Sequence, residues 1–117
     1  MDIAIEKQLQ DFLDSPLRVR WLYTKEFEVY VRKGRHAGPD GKMHTYLDIA
    51  NIEVYPEFQR QGRFKDFLAL CQRISLYDGL FLENILNENV FDYLRRLASS
   101  DLRWHEKGMN FLWQKEL

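Results

Sequence analysis

Residues 46–71, YLDIANIEVYPEFQRQGRFKDFLALC, decide how this chain is expected to fold. The segment opens with a long apolar run, passes through Val54-Tyr55-Pro56 into a polar turn that contains Gly62, and ends in residues with helical spacing. This order predicts a strand, a tight turn and a helix. The turn exposes backbone N–H groups, and the positive end of the helix dipole lies beside them. The segment therefore predicts a binding site for an anion such as a phosphate group.

The composition is that of a small globular protein. The 117 residues are 45% hydrophobic and 15% aromatic, which predicts a single domain with one core. The 17 basic and 18 acidic residues give a net charge of -1, which counts against a dedicated nucleic-acid-binding protein. The single cysteine, Cys71, excludes an internal disulfide and is interpreted as a small buried hydrophobe.

Targeting and membrane signals are weak throughout the sequence. The first residues, MDIAIEKQLQDF, are amphipathic and lack the apolar core of a signal peptide. No segment approaches the roughly 20 apolar residues that span a bilayer. We therefore expect a cytoplasmic protein without a membrane partner.

The pattern of the whole chain predicts the order helix, three strands, helix, strand, helix and two strands. Residues 33–42, KGRHAGPDGK, are expected to form a loop because glycine and proline interrupt them. Asn87 or Asn89 is expected to cap the last helix. This order predicts an α+β fold with three layers: a mixed, mostly antiparallel sheet with helices on both faces.

The motif Val54-x-Pro56-x-x-Gln59-x-x-Gly62 resembles motif A of the GNAT superfamily of acyl-CoA-dependent N-acyltransferases. The resemblance covers roughly residues 44–117 and includes Asn87 with Val90, which is similar to the family's Asn-x-x-Ala. The first 43 residues resemble a shortened form of the family's variable amino-terminal half. The run from Glu83 to Asn87 is similar to small GNAT proteins of phage genomes. The resemblance implies a single GNAT-like domain over residues 1–117 with N-acetyltransferase activity.

Acetyl-CoA is the acyl donor that this resemblance implies. The residues expected to bind it are Ile52, Val54, Gln59, Arg60, Gln61, Gly62, Arg63, Phe64, Lys65 and Asn87. Phe64 departs from the family, which usually has Gly or Ala there. Its ring either crowds the donor or turns into the core, and its place on a helical stripe with Phe67 favours the core.

Three residues are candidates for the acid–base chemistry. Asp48 occupies the position of the catalytic glutamate of histone-type GNAT members, and burial in an apolar strand would raise its pKa, which suits a base. The alternative is a structural carboxylate paired with an arginine. Glu53, on the opposite face of the same strand, is the second candidate base. The family's acid is often a tyrosine at the position of Leu94, so Tyr93 is one step off, and a structural tyrosine is the alternative.

The expected partner is an amine acceptor, either a small amine or a protein lysine or amino terminus. The alternative is a catalytically inactive GNAT-like module that acts through protein or nucleic-acid contacts. A nucleic-acid interface would use the basic and aromatic residues of the first hairpin. The alternative is a structural hairpin with one charged face in solvent and one face packed on the core. Trp104 and Trp113, if exposed, would support a homodimer over a monomer. No metal site is expected, because the spacing of His36, Asp40 and His44 matches no standard zinc pattern.

Overall fold

The computed structural model describes residues 3–59 and 62–116. The helices and strands follow the expected order, with one short 3₁₀ turn at Pro56–Phe58 before the second helix. In chain order they are α1 (Ile3–Asp14), β1 (Val19–Tyr23), β2 (Phe27–Ala37), β3 (Met43–Val54), α2 (Arg63–Ile74), β4 (Gly79–Leu82), α3 (Glu88–Ser100), β5 (Trp104–Lys107) and β6 (Asn110–Gln114).

Six strands form one sheet in the order β1-β2-β3-β4-β6-β5. Only β3 and β4 are parallel neighbours, and α2 connects them. All other neighbouring pairs are antiparallel. The predicted α+β class and the mixed, mostly antiparallel sheet are therefore confirmed.

The prediction of helices on both faces is wrong. Every described helix packs on the same face, where side chains of α1, α2 and α3 share one core cluster with alternate residues of the strands. Leu47, Ile49, Leu80 and Leu82 of the parallel pair point to this face. Ring contacts from Phe67 to Phe27 and from Phe91 to Phe111 attach α2 and α3 to it.

The second face of the sheet is covered in part by the β2–β3 hairpin. This hairpin is longer than predicted, because residues 33–37 continue β2 rather than forming a loop. Its far end crosses the sheet: Nζ of Lys107, on the opposite edge strand, donates to the carbonyl of Ala37 at 2.9 Å. Beneath it lies a small cluster of Tyr46, Phe81 and Leu112. The hairpin thus takes the place of the second helical layer.

The last two strands contribute to the core. Trp104 is 4% exposed and Trp113 is 7% exposed, since both face the helices from neighbouring positions on β5 and β6. The idea that these two rings present a dimer surface is wrong.

Candidate functional site

A cleft opens where β3 and β4 separate. The two strands pair only from Tyr46–Gly79 to Ile49–Leu82, and the N–H of Glu83 makes the last contact, with the carbonyl of Ile49 at 3.0 Å. The register of β3 against β2 shifts at the same point, so that Ala50 is an extra residue in β3. Such bulges bend a strand, and here the bend leads β3 away from β4. The resulting cleft has a volume of about 440 Å³.

Backbone groups of β3 form one wall of this cleft. The N–H of Tyr55 donates to the carbonyl of Glu26 on the β2 side at 2.8 Å. Peptide groups alternate in direction along a strand, so those of Ile52 and Val54 point the other way, toward the cleft. Nε2 of Gln59 donates to the carbonyl of Val54 at 2.9 Å, which fixes the end of the strand against the turn.

The turn before α2 lies at one end of the cleft. Gly62 lines the cleft, has a φ of 75° and is the N-cap of α2, with no side-chain hydrogen bond to cap the helix. A residue without a Cβ adopts this left-handed conformation readily, and the positive end of the α2 dipole lies at this turn. Arg60 and Gln61, both expected to bind phosphate, lie outside the described residues.

The first turn of α2 supplies three further cleft residues. Arg63 lines the cleft and forms an ion pair with Glu26 from the β1–β2 turn. Lys65 lies over the ring of Tyr93, 4.7 Å from its centroid. Phe64 is half-buried, packs on the core and makes an edge contact with Tyr93, yet it also lines the cleft. Both interpretations of Phe64 thus hold in part, since its ring belongs to the core and to the cleft wall.

The amino terminus of α3 approaches the same cleft. Asn87 lines it and caps the helix, because its side-chain oxygen accepts the N–H of Val90 at 3.1 Å. This confirms the first of the two predicted caps. Tyr93 faces the cleft, whereas Leu94 is fully buried in the core. The tyrosine therefore lies on the cleft side of α3 although it is one residue away from the family's position.

Asp48 lies outside the cleft, on the second face of the sheet. It is 2% exposed, and Oδ1 is 2.9 Å from Nε2 of His36 while Oδ2 is 3.4 Å from Arg32. Gly34 lies over the carboxylate, since a Cβ there would be 2.1 Å from Oδ2. Burial raises the pKa of Asp48 against the opposing effects of His36 and Arg32. Both structural expectations are met together: the carboxylate is desolvated, and it is paired with an arginine.

Glu83 was missed by the sequence reasoning. It lines the cleft directly after β4 and forms an ion pair with Arg32, which also reaches Asp48. Arg32 thereby links a buried carboxylate on one face to a carboxylate at the cleft. An acidic residue at the end of an apolar strand was the available signal. Glu53, the second candidate base, is exposed and lines the cleft. The prediction that Glu53 lies on the face opposite Asp48 is wrong, because the extra residue Ala50 in β3 places both side chains on the second face.

The three residues considered for a metal are not brought together. His36 pairs with Asp48, whereas His44 contacts Asp40 at 2.9 Å and Asp78 at 3.3 Å. Across residues 3–59 and 62–116, no group of three or more metal-ligating side chains is assembled. Cys71 is fully buried, and burial raises the pKa of its thiol. A buried neutral thiol lacks the properties of a nucleophile.

Basic residues of the first hairpin lie on both faces of the sheet, whereas the rings of Trp21 and Tyr30 lie on the second face. Arg20 and Lys33 point to the helical face, where they donate to the carbonyls of Gln8 and Ser15 in and after α1. Trp21 and Tyr30 contact each other on the second face, with ring centroids 5.0 Å apart and ring planes tilted by 34°. Stacked bases and phosphates need both groups on one surface. Arg32 lies on the same face as these rings, but its guanidinium is paired with Asp48 and Glu83, and this pairing counts against the nucleic-acid interface.

Comparison with known proteins leaves this geometry as the main guide to function. No protein-family model matches the chain, and no curated protein matches it either. Of the helices at residues 3–59 and 62–116, none has the length and apolar character to cross a bilayer.

Proposed function

We propose that this protein is an N-acyltransferase of the GNAT type, which moves an acetyl group from acetyl-CoA to an amine. The observation that carries the proposal is the cleft between β3 and the segment after β4, with the amino termini of α2 and α3 directed at it.

The described cleft residues fit the chemical groups of this donor. The uncapped first turn of α2 at Gly62 suits a phosphate, and Lys65 adds positive charge nearby. Ile52 and Val54 offer peptide groups to an amide-containing chain, as strand pairing does. Arg63 also lines the cleft, although Glu26 offsets part of its charge.

When bound, acetyl-CoA would supply a thioester carbonyl that an amine nitrogen attacks, with the CoA thiolate as leaving group. The chain must then accept one proton from the amine, stabilise developing charge on the carbonyl oxygen, and allow a proton to reach the thiolate. A backbone N–H of β3 near the bulge is the donor that we assign to the carbonyl oxygen. Tyr93, at the cleft wall, is the acid that we assign to the thiolate.

The proton acceptor that we favour is now Glu53. Glu53 is exposed and lines the cleft, whereas Asp48 is enclosed by Gly34, His36 and Arg32. A base must come within hydrogen-bonding distance of the proton that it accepts. Asp48 could accept the proton only indirectly, through His36 or Arg32, because its carboxylate lies outside the cleft.

The competing proposal is a module of the same architecture that binds a ligand without transferring an acyl group. The enclosure of Asp48 is the observation that favours it. The two proposals differ in one outcome: the module predicts affinity for CoA compounds without release of free thiol in the presence of amines.

The test is thermal unfolding with and without acetyl-CoA, followed by a thiol-release assay across a panel of amines. At 100 times its dissociation constant, a ligand stabilises the folded state by about 2.7 kcal/mol. Gly62→Glu should abolish the shift by placing a negative charge at the phosphate end. A wild type that folds but shows no shift with acetyl-CoA or CoA would refute the proposal.

Gly41→Glu is the matched control. Gly41 has a φ of 79° against 75° for Gly62, and a Cβ at either position meets no atom within 4 Å. The two substitutions therefore carry the same backbone strain and the same charge. Only Gly62→Glu should lose the acetyl-CoA shift, because Gly41 lies in the β2–β3 turn away from the cleft.

A further inference from the structure

The second face of the sheet remains open over β1, β2 and the end of β3. Strand pairing arranges its side chains in rows: Tyr23, Glu28 and Glu53 form one row, and Trp21, Tyr30 and Asn51 form the next. We call these six side chains the open platform. None of them belongs to either core cluster, and the β2–β3 hairpin covers the sheet only beyond Arg32.

Large aromatic rings are exposed on this platform. Trp21 is 39% exposed and Tyr23 is 54% exposed, and their rings stack with centroids 6.2 Å apart. By contrast, Trp104 and Trp113 are buried. Exposed rings that lie next to one another form an apolar patch, and such a patch marks a surface for a partner.

The same platform carries two carboxylates without a counter-ion. Glu28 and Glu53 are direct partners across the β2–β3 ladder, so their side chains lie on the same face. Like charges at directly opposite positions destabilise a sheet. Over residues 3–59 and 62–116, no cationic side chain forms an ion pair with either glutamate. Together with burial, the two glutamates raise the pKa of nearby Tyr55.

We propose that the open platform docks a basic polypeptide segment, with lysine or arginine side chains lying over the aromatic rings and pairing with Glu28 and Glu53. Charge complementarity decides this choice of partner, because the platform offers carboxylates and π faces. Arg20 and Lys33 of this hairpin lie on the helical face, and Arg32, which shares the face of the platform, is already paired with Asp48 and Glu83. Trp21 and Tyr30 supply the faces over which a cation binds.

Docking here does not require acyl transfer. Glu53 belongs both to the platform and to the cleft wall, so a bound segment would end at the cleft. Under the proposed acyltransferase function, that geometry would present a lysine of the segment as the acceptor. The docking experiment is therefore based on binding alone, and acetyl-CoA is left out of it.

The experiment measures fluorescence anisotropy of a short labelled peptide with lysine at alternate positions, added to the full chain. We expect saturable binding that weakens with salt. The Glu28→Gln/Glu53→Gln double variant should bind roughly fivefold more weakly or worse, since it removes one half-buried and one exposed charge partner. Trp21→Leu should also weaken binding, as it keeps an apolar side chain but removes the ring.

The control is Asp92→Asn/Glu116→Gln, which removes two exposed carboxylates outside the platform and changes the net charge by the same amount. It should bind the lysine peptide as the wild type does. Equal weakening in this control would show a non-specific charge effect and overturn the proposal. Preferred binding of a glutamate peptide or a single-stranded oligonucleotide would also overturn it, as would a dimer in sedimentation that Trp21→Leu dissociates.

Discussion

Replacing Gly34 by alanine tests the packing of the buried carboxylate directly. An alanine Cβ would lie 2.1 Å from Oδ2 and 2.5 Å from Cγ of Asp48, which is closer than real Cβ contacts come. The carboxylate cannot move aside freely, because Oδ1 contacts His36 at 2.9 Å and Arg32 is 3.4 Å from Oδ2. The substitution must therefore displace the strand or break these contacts.

The expected loss follows from two contributions. Overfilling a packed site costs about 1–3 kcal/mol, and separating a buried charge from its partners costs about 3–5 kcal/mol when the separation is complete. Because the hairpin can give way in part, we expect Gly34→Ala to lower the free energy of unfolding by about 2–4 kcal/mol. Urea denaturation monitored by tryptophan fluorescence measures the change.

A double-mutant cycle with Asp48→Ala separates the steric clash from any general cost of alanine in β2. Once the carboxyl group is gone, the new methyl group has space, and alanine is favoured over glycine in a strand by roughly 0.5 kcal/mol. Gly34→Ala should then be close to neutral, which gives a coupling energy of about 2–4 kcal/mol, equal to the loss expected in the wild-type background. The same loss in both backgrounds would refute the enclosure of Asp48 by Gly34.

Three other perturbations test separate parts of the fold. Since burial raises the pKa of Asp48 above the ordinary value of 3.8, its contribution to stability is present at low pH and is lost as pH rises through the folded-state pKa. As pH rises from 3.8 through the folded-state pKa of Asp48, urea midpoints should therefore fall less steeply in Asp48→Asn than in the wild type, and parallel curves would contradict this sign. Asn87→Ala should lower the free energy of unfolding by about 1 kcal/mol through loss of the cap to Val90, whereas Asn89→Ala should have little effect, and equal losses in urea denaturation would contradict the cap. Cys71 should react with a thiol reagent only on unfolding, because it is fully buried, and rapid labelling of the folded protein would show that α2 opens.

Local patterns in the sequence were sufficient for the order of the elements. The β3–turn–α2 unit was predicted because apolar runs, Pro56 and Gly62 act within a few residues of one another. The same holds for the cap at Asn87, whose side chain bonds a neighbour three residues on. These interactions are local, so periodicity and turn chemistry suffice to place them.

Non-local contacts explain the predictions that were wrong. Gly34 was predicted to lie in a loop because glycine usually interrupts a strand. In the structure it lies within β2, where the absence of a side chain makes room for Asp48 on the neighbouring strand. Similarly, Trp104 and Trp113 looked available for a partner until the register of β5 and β6 placed them under the helices. The pattern of apolar residues along one strand does not show which face of the sheet the helices cover.

The candidate site also combines features that follow from neighbouring residues with features that follow only from tertiary contacts. The sequence alone determined the turn at Gly62, the helix that begins after it and the capped start of α3, because backbone geometry and capping depend on adjacent residues. Only the tertiary structure decided that β3 bends at Ala50, that Tyr93 rather than Leu94 faces the cleft, and that Arg32 joins Asp48 to Glu83. Those features arise from strand register and from helix packing on one face of the sheet, where residues far apart in the chain come into contact.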